Sequence, residues 1–250
     1  KENGSENVNA FPGDPEWVLE IFGSNPQEHK LTIPVSPQNG LPLNYLPRHQ
    51  SYLTNNSRKT QFIKTSSLTS QAMMALFDKV VLTPEETLLT EALRTIEPSL
   101  ERIASVSSEK LISESGLSRK GFVVRLSNLE QRIPIGSLGD GMWRMLGLTL
   151  AIANAKDGIL LVDEIDTGLH FSTMSDMWRL IWDAAKRLNV QVFATTHNSD
   201  CWQSLAAIAN SEHPSSDGIT IQRIEKDKPQ SVLFTERQVA IAVERGIEVR

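Results

Sequence analysis

Gly158-Ile159-Leu160-Leu161-Val162-Asp163-Glu164-Ile165-Asp166 decides how the rest of the chain reads. Its run of apolar residues, Ile159 to Val162, predicts a short strand buried on both faces, as strands inside a parallel sheet are. That strand runs straight into Asp163 and Glu164. Carboxylates delivered at the C-terminal edge of such a strand lie where open α/β sheets bind their ligands. There Asp163 suits a Mg²⁺ ion held through its water shell, and Glu164 suits the orientation or deprotonation of an attacking water. A core strand followed by an acidic helix cap would read the same. The neighbours favour the first reading: Gly139-Asp140-Gly141 upstream and Thr195-Thr196-His197 downstream.

Downstream, Asp166-Thr167-Gly168-Leu169-His170 leads into a helix expected from about Ser172 to Leu188, with a stripe of Met174, Met177, Trp178, Ile181, Trp182, Ala185 and Leu188. A second buried strand is expected over Val190 to Thr195. Strand, helix, strand is the βαβ pattern of a parallel sheet. Strand ends in such a sheet point one way, so His197 should emerge beside Glu164. A capped helix over 198–210, a hairpin of 219–224 with 231–234 across Lys226 to Pro229, and a helix over 236–244 follow.

Upstream, Gly136-Ser137-Leu138-Gly139-Asp140-Gly141 opens a helix expected from Met142 to Ala155. Arg144 is its only charge, so the helix must be buried. Its N-terminus, set beside glycines, is a ready anion site, although a glycine turn can serve helix entry alone. Residues 121–126 and 131–135 predict two strands, approached through Arg119 and Lys120. Before them a helical section is expected. One helix spans Ser70 to Lys79, and a second starts at Thr83-Pro84-Glu85-Glu86, with Thr83 as cap and Glu86 closing a capping box. Pro98 should end it, and residues 99–106 should continue it at an angle. Residues 17–22 and 30–35 predict a hairpin across a polar turn, after a polar start over 1–15. The tract 36–60 reads as irregular; its Arg48, Arg58 and Lys59, with Lys64, read as a solvated loop. The expected divisions are 1–66, a β/irregular region; 67–117, helical; and 118–250, carrying the acid pair.

A chain of 250 residues makes one large domain or two modest ones. Its 40% hydrophobic and 22% charged residues are ordinary for a soluble globular protein. No apolar run approaches the roughly 18 residues of a membrane helix, and the polar first residues do not resemble a signal peptide. A single Cys201 excludes an internal disulfide and a cysteine-built metal site, so a cytoplasmic home is expected. A net charge of −5 argues against a protein wrapped in nucleic acid.

Four motifs in order resemble the C-terminal half of an ABC/SMC-type ATPase head, and more closely the AAA-type bacterial ATPases of the overcoming-lysogenization-defect family. Leu138-Gly139-Asp140-Gly141-Met142 falls at the signature loop and Leu160 to Glu164 at Walker B. Thr167 to His170 matches the D-loop and Thr196-His197-Asn198 the switch histidine. The resemblance covers about residues 120–210. It implies an α/β fold: a partial P-loop NTPase with a parallel sheet flanked by helices, a helical section and β-hairpins. It implies ATP and Mg²⁺ as cofactors, with Asp163 at the metal, Glu164 as catalytic base and His197 at the γ-phosphate. The helix start, with Ser137, Gly139, Asp140 and Gly141, would cap the γ-phosphate of ATP on a second copy. ATP would thus hold a homodimer together until hydrolysis, in a DNA-linked or phage-defence role.

Two departures qualify this. Gly139 stands where the signature loop has Ser, so Ser137 would have to supply the hydroxyl. No Gly-x-x-x-x-Gly-Lys-Ser/Thr occurs in these residues, so the phosphate loop is expected in a lobe preceding Lys1. The competing expectation is a non-catalytic module that keeps the fold and docks a partner effector protein. A transporter's nucleotide-binding subunit fits the helical section less well, and no membrane partner is expected.

Overall fold

The computed structural model describes residues 17–22, 30–35, 59–106, 121–209, 218–225, 228 and 230–249. They belong to two units, Lys1–Ser57 and Arg58–Arg250. In the first, β1 (Trp17–Phe22) and β2 (Lys30–Val35) form the expected antiparallel hairpin, with Trp17 opposite Val35 and Phe22 opposite Lys30. The expected polar start, the 23–28 turn, the tract over 36–58, Arg119, Lys120 and most of the 226–229 turn lie outside the described residues.

The second unit begins with β3 (Thr60–Ile63), α1 (Ser70–Phe77) and α2 (Glu86–Arg94). Then come β4 (Leu100–Ser105), β5 (Phe122–Leu126), β6 (Ile133–Pro134) and α3 (Asp140–Asn154). β7 (Ile159–Val162), α4 (Phe171–Leu188), β8 (Gln191–Ala194) and α5 (Ser199–Ala209) make the βαβ part. β9 (Thr220–Arg223), β10 (Val232–Thr235) and α6 (Glu236–Glu244) close it.

The core forms around α3. All twelve residues from Met142 to Ala153 are buried, Arg144 and Thr149 among them. It packs against β3, α1, α2 and α4. Each large apolar side chain buried this way contributes about 1.5–3 kcal/mol, so α3 is the principal organiser of the unit.

β3, β7 and β8 pair in parallel, in that order. Ile63, Leu160 and Val162 are buried on one face. The opposite face carries the register-matched row Phe62, Leu161, Phe193. There Phe62 and Phe193 are 52% and 51% exposed, and Ile159 and Leu161 only half-buried. The expectation that β7 and β8 are buried on both faces is therefore corrected. Among the described residues one face is covered, and β8 is an edge strand with its outer positions exposed.

β3 itself is a strand where no element was expected. Thr-Gln-Phe-Ile carries little periodicity, and its partner lies about a hundred residues away, so pairing comes from tertiary contact alone. Residues 100–105 form a strand antiparallel to β5 and do not continue the helix. The spacing of Leu100 and Ile103 mimics a helical stripe. A bulge between Leu100 and Arg102 absorbs one residue, so both side chains reach the core from a strand. The Thr83 capping box does not form either. α2 starts at Glu86; the Glu86 carboxylate accepts from the Leu82 N–H at 2.7 Å, and the Thr83 hydroxyl donates to the Val80 carbonyl at 2.6 Å.

Candidate functional site

The apolar strand β7 ends in the core, and the next residue, Asp163, emerges at the rim with strand ends on either side. The Asp163 N–H donates to the Ile63 carbonyl at 2.8 Å, tying it to β3. The Thr195 N–H donates to the Val162 carbonyl at 2.9 Å, and the Ile165 N–H to the Thr195 carbonyl at 3.0 Å, tying it to β8. Thr65 and Thr195 are thereby set beside the carboxylate. The Thr65 hydroxyl donates to Oδ2 at 2.6 Å and the Thr195 hydroxyl to Oδ1 at 2.9 Å. These two hydrogen bonds, with smaller attractions from Arg144 and His197, hold the Asp163 carboxyl below the usual carboxylate range against partial desolvation. His197 follows β8 by three residues, on the edge where β7 delivers Asp163.

Glu164 turns the chain out of the strand with φ of 45°, in the left-handed region. Its N–H donates to the Thr195 hydroxyl oxygen at 2.9 Å, and its carboxylate accepts from the Thr167 hydroxyl at 3.3 Å. Next to it, the Thr196 hydroxyl donates to Asp166 at 2.6 Å and its oxygen accepts the Asn198 N–H at 3.0 Å. The adjacent Asp163 and Glu164 thus stand at the rim where the end of β8, about thirty residues on, is hydrogen-bonded to them through Thr195.

Ser137, Gly139, Asp140 and Gly141 form a second group at the start of α3. Ser137, Gly139 and Asp140 are exposed. Gly139 has φ of 91°, and as N-cap it brings no side chain to the first helical N–H groups. Gly141 packs against the Thr167–His170 turn: a Cβ there would lie 3.1 Å from the Gly168 carbonyl oxygen. A cleft of about 190 Å³ runs between this helix start and the β3 end, lined by Asp140, Trp143, Arg144, Thr167 and the Thr65–Ser67 turn.

Among the described residues no group of three His, Cys, Asp or Glu side chains could form a metal cage. Mg²⁺ does not require one, since it keeps several waters and takes one or two carboxylates plus substrate phosphate. Asp163 fits that demand: each oxygen accepts one hydroxyl hydrogen bond and retains lone pairs. No described helix is long and apolar enough to cross a membrane.

Sequence reasoning missed Thr65 and the partners of Arg144. A hydroxyl after an unrecognised strand carries no signal. The lone charge in an apolar helix does: a buried guanidinium must find acceptors, and this one finds backbone carbonyls.

Comparison with known proteins gives several similarities. An ATP/GTP phosphatase of Helicobacter pylori is 29% identical over 80 residues, 31% of this chain and 22% of that protein. The chain therefore spans about a fifth of that relative's length. An uncharacterized protein of Methanocaldococcus jannaschii is 32% identical over 82 residues, 33% of this chain and 68% of its own. Among solved structures, one from work on ATP-driven dimerization and DNA-stimulated activation of SMC ATPases matches at 12% identity. It covers 72% of this chain and 99% of that one with a TM-score of 0.43. The SMC head domain from Thermotoga maritima matches at 12% identity over 87% and 72%, with a TM-score of 0.41. The family described as "AAA domain, putative AbiEii toxin, Type IV TA system" matches residues 25–200, and the chain belongs to that AAA family.

Proposed function

We propose that this chain carries the hydrolytic and dimer-facing half of an ATPase whose assembly is gated by nucleotide. The observation that carries the reading is Asp163, clamped at the sheet rim by the Thr65 and Thr195 hydroxyls, with the Glu164 N–H on the same Thr195 oxygen. In this reading Asp163 holds the water shell of Mg²⁺, which when bound supplies charge to the phosphates. Glu164 takes a proton from the attacking water, a role that contributes about 10²–10⁴ in rate. His197 donates to the γ-phosphate and registers its loss. The α3 N-terminus, with Ser137, Gly139, Asp140 and Gly141, caps the nucleotide of a second copy through N–H groups and the helix dipole. A homodimer closed over ATP and reopened by hydrolysis follows.

The phosphate cradle has to come from elsewhere, because no Gly-x-x-x-x-Gly-Lys-Ser/Thr occurs in the 250 residues. Among the described residues the face of Phe62, Leu161 and Phe193 is uncovered, which supports placing it there: parallel sheets are covered on both faces. This apolar row stops one step short of Asp163, where a covering helix could present a phosphate-binding N-terminus. The family's description, with its reference to a toxin of a Type IV system, supports a defence-linked setting for such a dimer; the same proposal puts it in the cytoplasm, with DNA or an effector protein as the downstream partner.

Glu164→Gln in a protein that includes a phosphate loop tests the reading. Turnover should fall at least about a hundredfold, and ATP-bound dimers should accumulate on size exclusion with light scattering. The 250 residues alone should show only background hydrolysis. Unchanged turnover, or no nucleotide-dependent change in mass, would leave the non-catalytic docking module as the better account.

A further inference from the structure

Arg144 is 2% exposed, in the second turn of the helix that Gly139 to Gly141 open. Its guanidinium reaches outward to the rim. Nη1 donates to the Lys64 carbonyl at 2.8 Å, and Nη2 to the carbonyls of Asp163 at 2.9 Å and Glu164 at 2.8 Å. Nε lies 3.5 Å from the Ile165 carbonyl. One buried cation therefore grips the backbone just past the ends of two adjacent strands. Burial lowers its pKa, and the carboxylates of Asp166, Asp163 and Glu164 oppose that.

One of the residues gripped is strained. Glu164 has φ of 45°, a conformation that non-glycine side chains occupy only when their surroundings over-determine it. Here the surroundings are the Thr195 hydroxyl on its N–H, the Arg144 guanidinium on its carbonyl and the Thr167 hydroxyl on its carboxylate. The guanidinium runs from α3 to this turn, with hydrogen bonds to the carbonyls of both Asp163 and Glu164. A lysine cannot reproduce it, since an ammonium is a point donor and not a planar fork.

We propose that Arg144 is a positioning residue that holds the Asp163–Glu164 turn in its left-handed conformation and fastens it to the helix whose N-terminus faces the second copy. The parts concerning hydrolysis and the second copy rest on the reading above; the part concerning strain does not. A shift of α3 on dimer closure would thus be carried by one rigid side chain to the backbone of the proposed base.

A double-mutant cycle on the intact protein, read by thermal unfolding, tests the strain. Glu164→Gly accommodates the positive φ, so it should raise Tm by about 2–4 °C. Arg144→Lys should lower Tm, and by less in the Glu164→Gly background than in the wild type. Equal costs in the two backgrounds overturn the proposal. If Arg144→Lys does not fold, Glu164→Gly is read alone, and a lowered Tm overturns it. Kinetics supply the second arm: Arg144→Lys should leave KM for ATP within threefold and lower kcat at least tenfold. A rise in KM with kcat unchanged overturns the positioning role. If Glu164→Gln leaves turnover intact, the hydrolytic reading fails while the unfolding cycle still decides the structural one.

Discussion

Thr195 acts on Asp163 and Glu164 with a single oxygen: it donates its proton to Asp163 Oδ1 at 2.9 Å and accepts the Glu164 N–H at the same distance. The hydroxyl of one strand end thereby orients both a carboxylate and the turn behind it. Thr65 does the first of these jobs from the opposite side, at 2.6 Å. Each strand flanking β7 contributes one clamp.

Thr65→Val and Thr195→Val should each raise the Asp163 pKa toward the ordinary value of about 3.9, because each removes a hydrogen bond that favours the ionised form. Carbon-detected NMR titration of the Asp163 carboxyl measures this. The folded pKa is depressed, so the ionised group contributes stability above its unfolded pKa, and that contribution is lost as pH falls through the folded value. Both variants should narrow that acid window and leave stability near neutral pH less dependent on Asp163. A midpoint unmoved in both would mean the clamps are not formed in solution.

Gly158 and Gly139 should fail differently when changed to Ala. A Cβ at Gly158 would lie 1.9 Å from the Lys59 carbonyl oxygen, the acceptor that starts the β3–β7 ladder. Backbone cannot step aside without giving up that pairing, so a cost of about 3 kcal/mol or more is expected. At Gly139 nothing lies within 4 Å, but φ is 91°. Only conformational strain remains, about 1–2 kcal/mol. Urea unfolding of both variants ranks them; the reverse order would contradict the register of β3 on β7.

Cys201 should be chemically silent. Its thiol is fully buried, and desolvation pushes its pKa up to about 12. Relative to a free thiol near 8.5, its thiolate fraction at pH 8 is lower by about a thousandfold. Because the folded pKa is raised, stability from the neutral thiol is complete below the unfolded pKa and declines as pH rises beyond it. Labelling with a disulfide reagent should therefore proceed at the rate of unfolding. Prompt labelling of the native protein would show that α5 does not pack as described.

The chain's own pattern determined the features that depend on neighbours in sequence. Apolar residues all round the 142–153 segment leave a helix no choice but burial, and four apolar residues before Asp163-Glu164 make a strand that ends in charge. The βαβ order then requires His197 to surface on the same edge, whatever the details of packing. Tertiary structure alone decided what is paired across distance. β3 is a strand because β7 offers it a ladder, β4 is a strand because a bulge lets helical spacing serve a sheet, and Thr65 meets Asp163 only through that pairing. It also decided that Arg144 spends its charge on carbonyls, since the acceptors a buried guanidinium finds are set by the fold around it and leave no periodicity in the sequence to read.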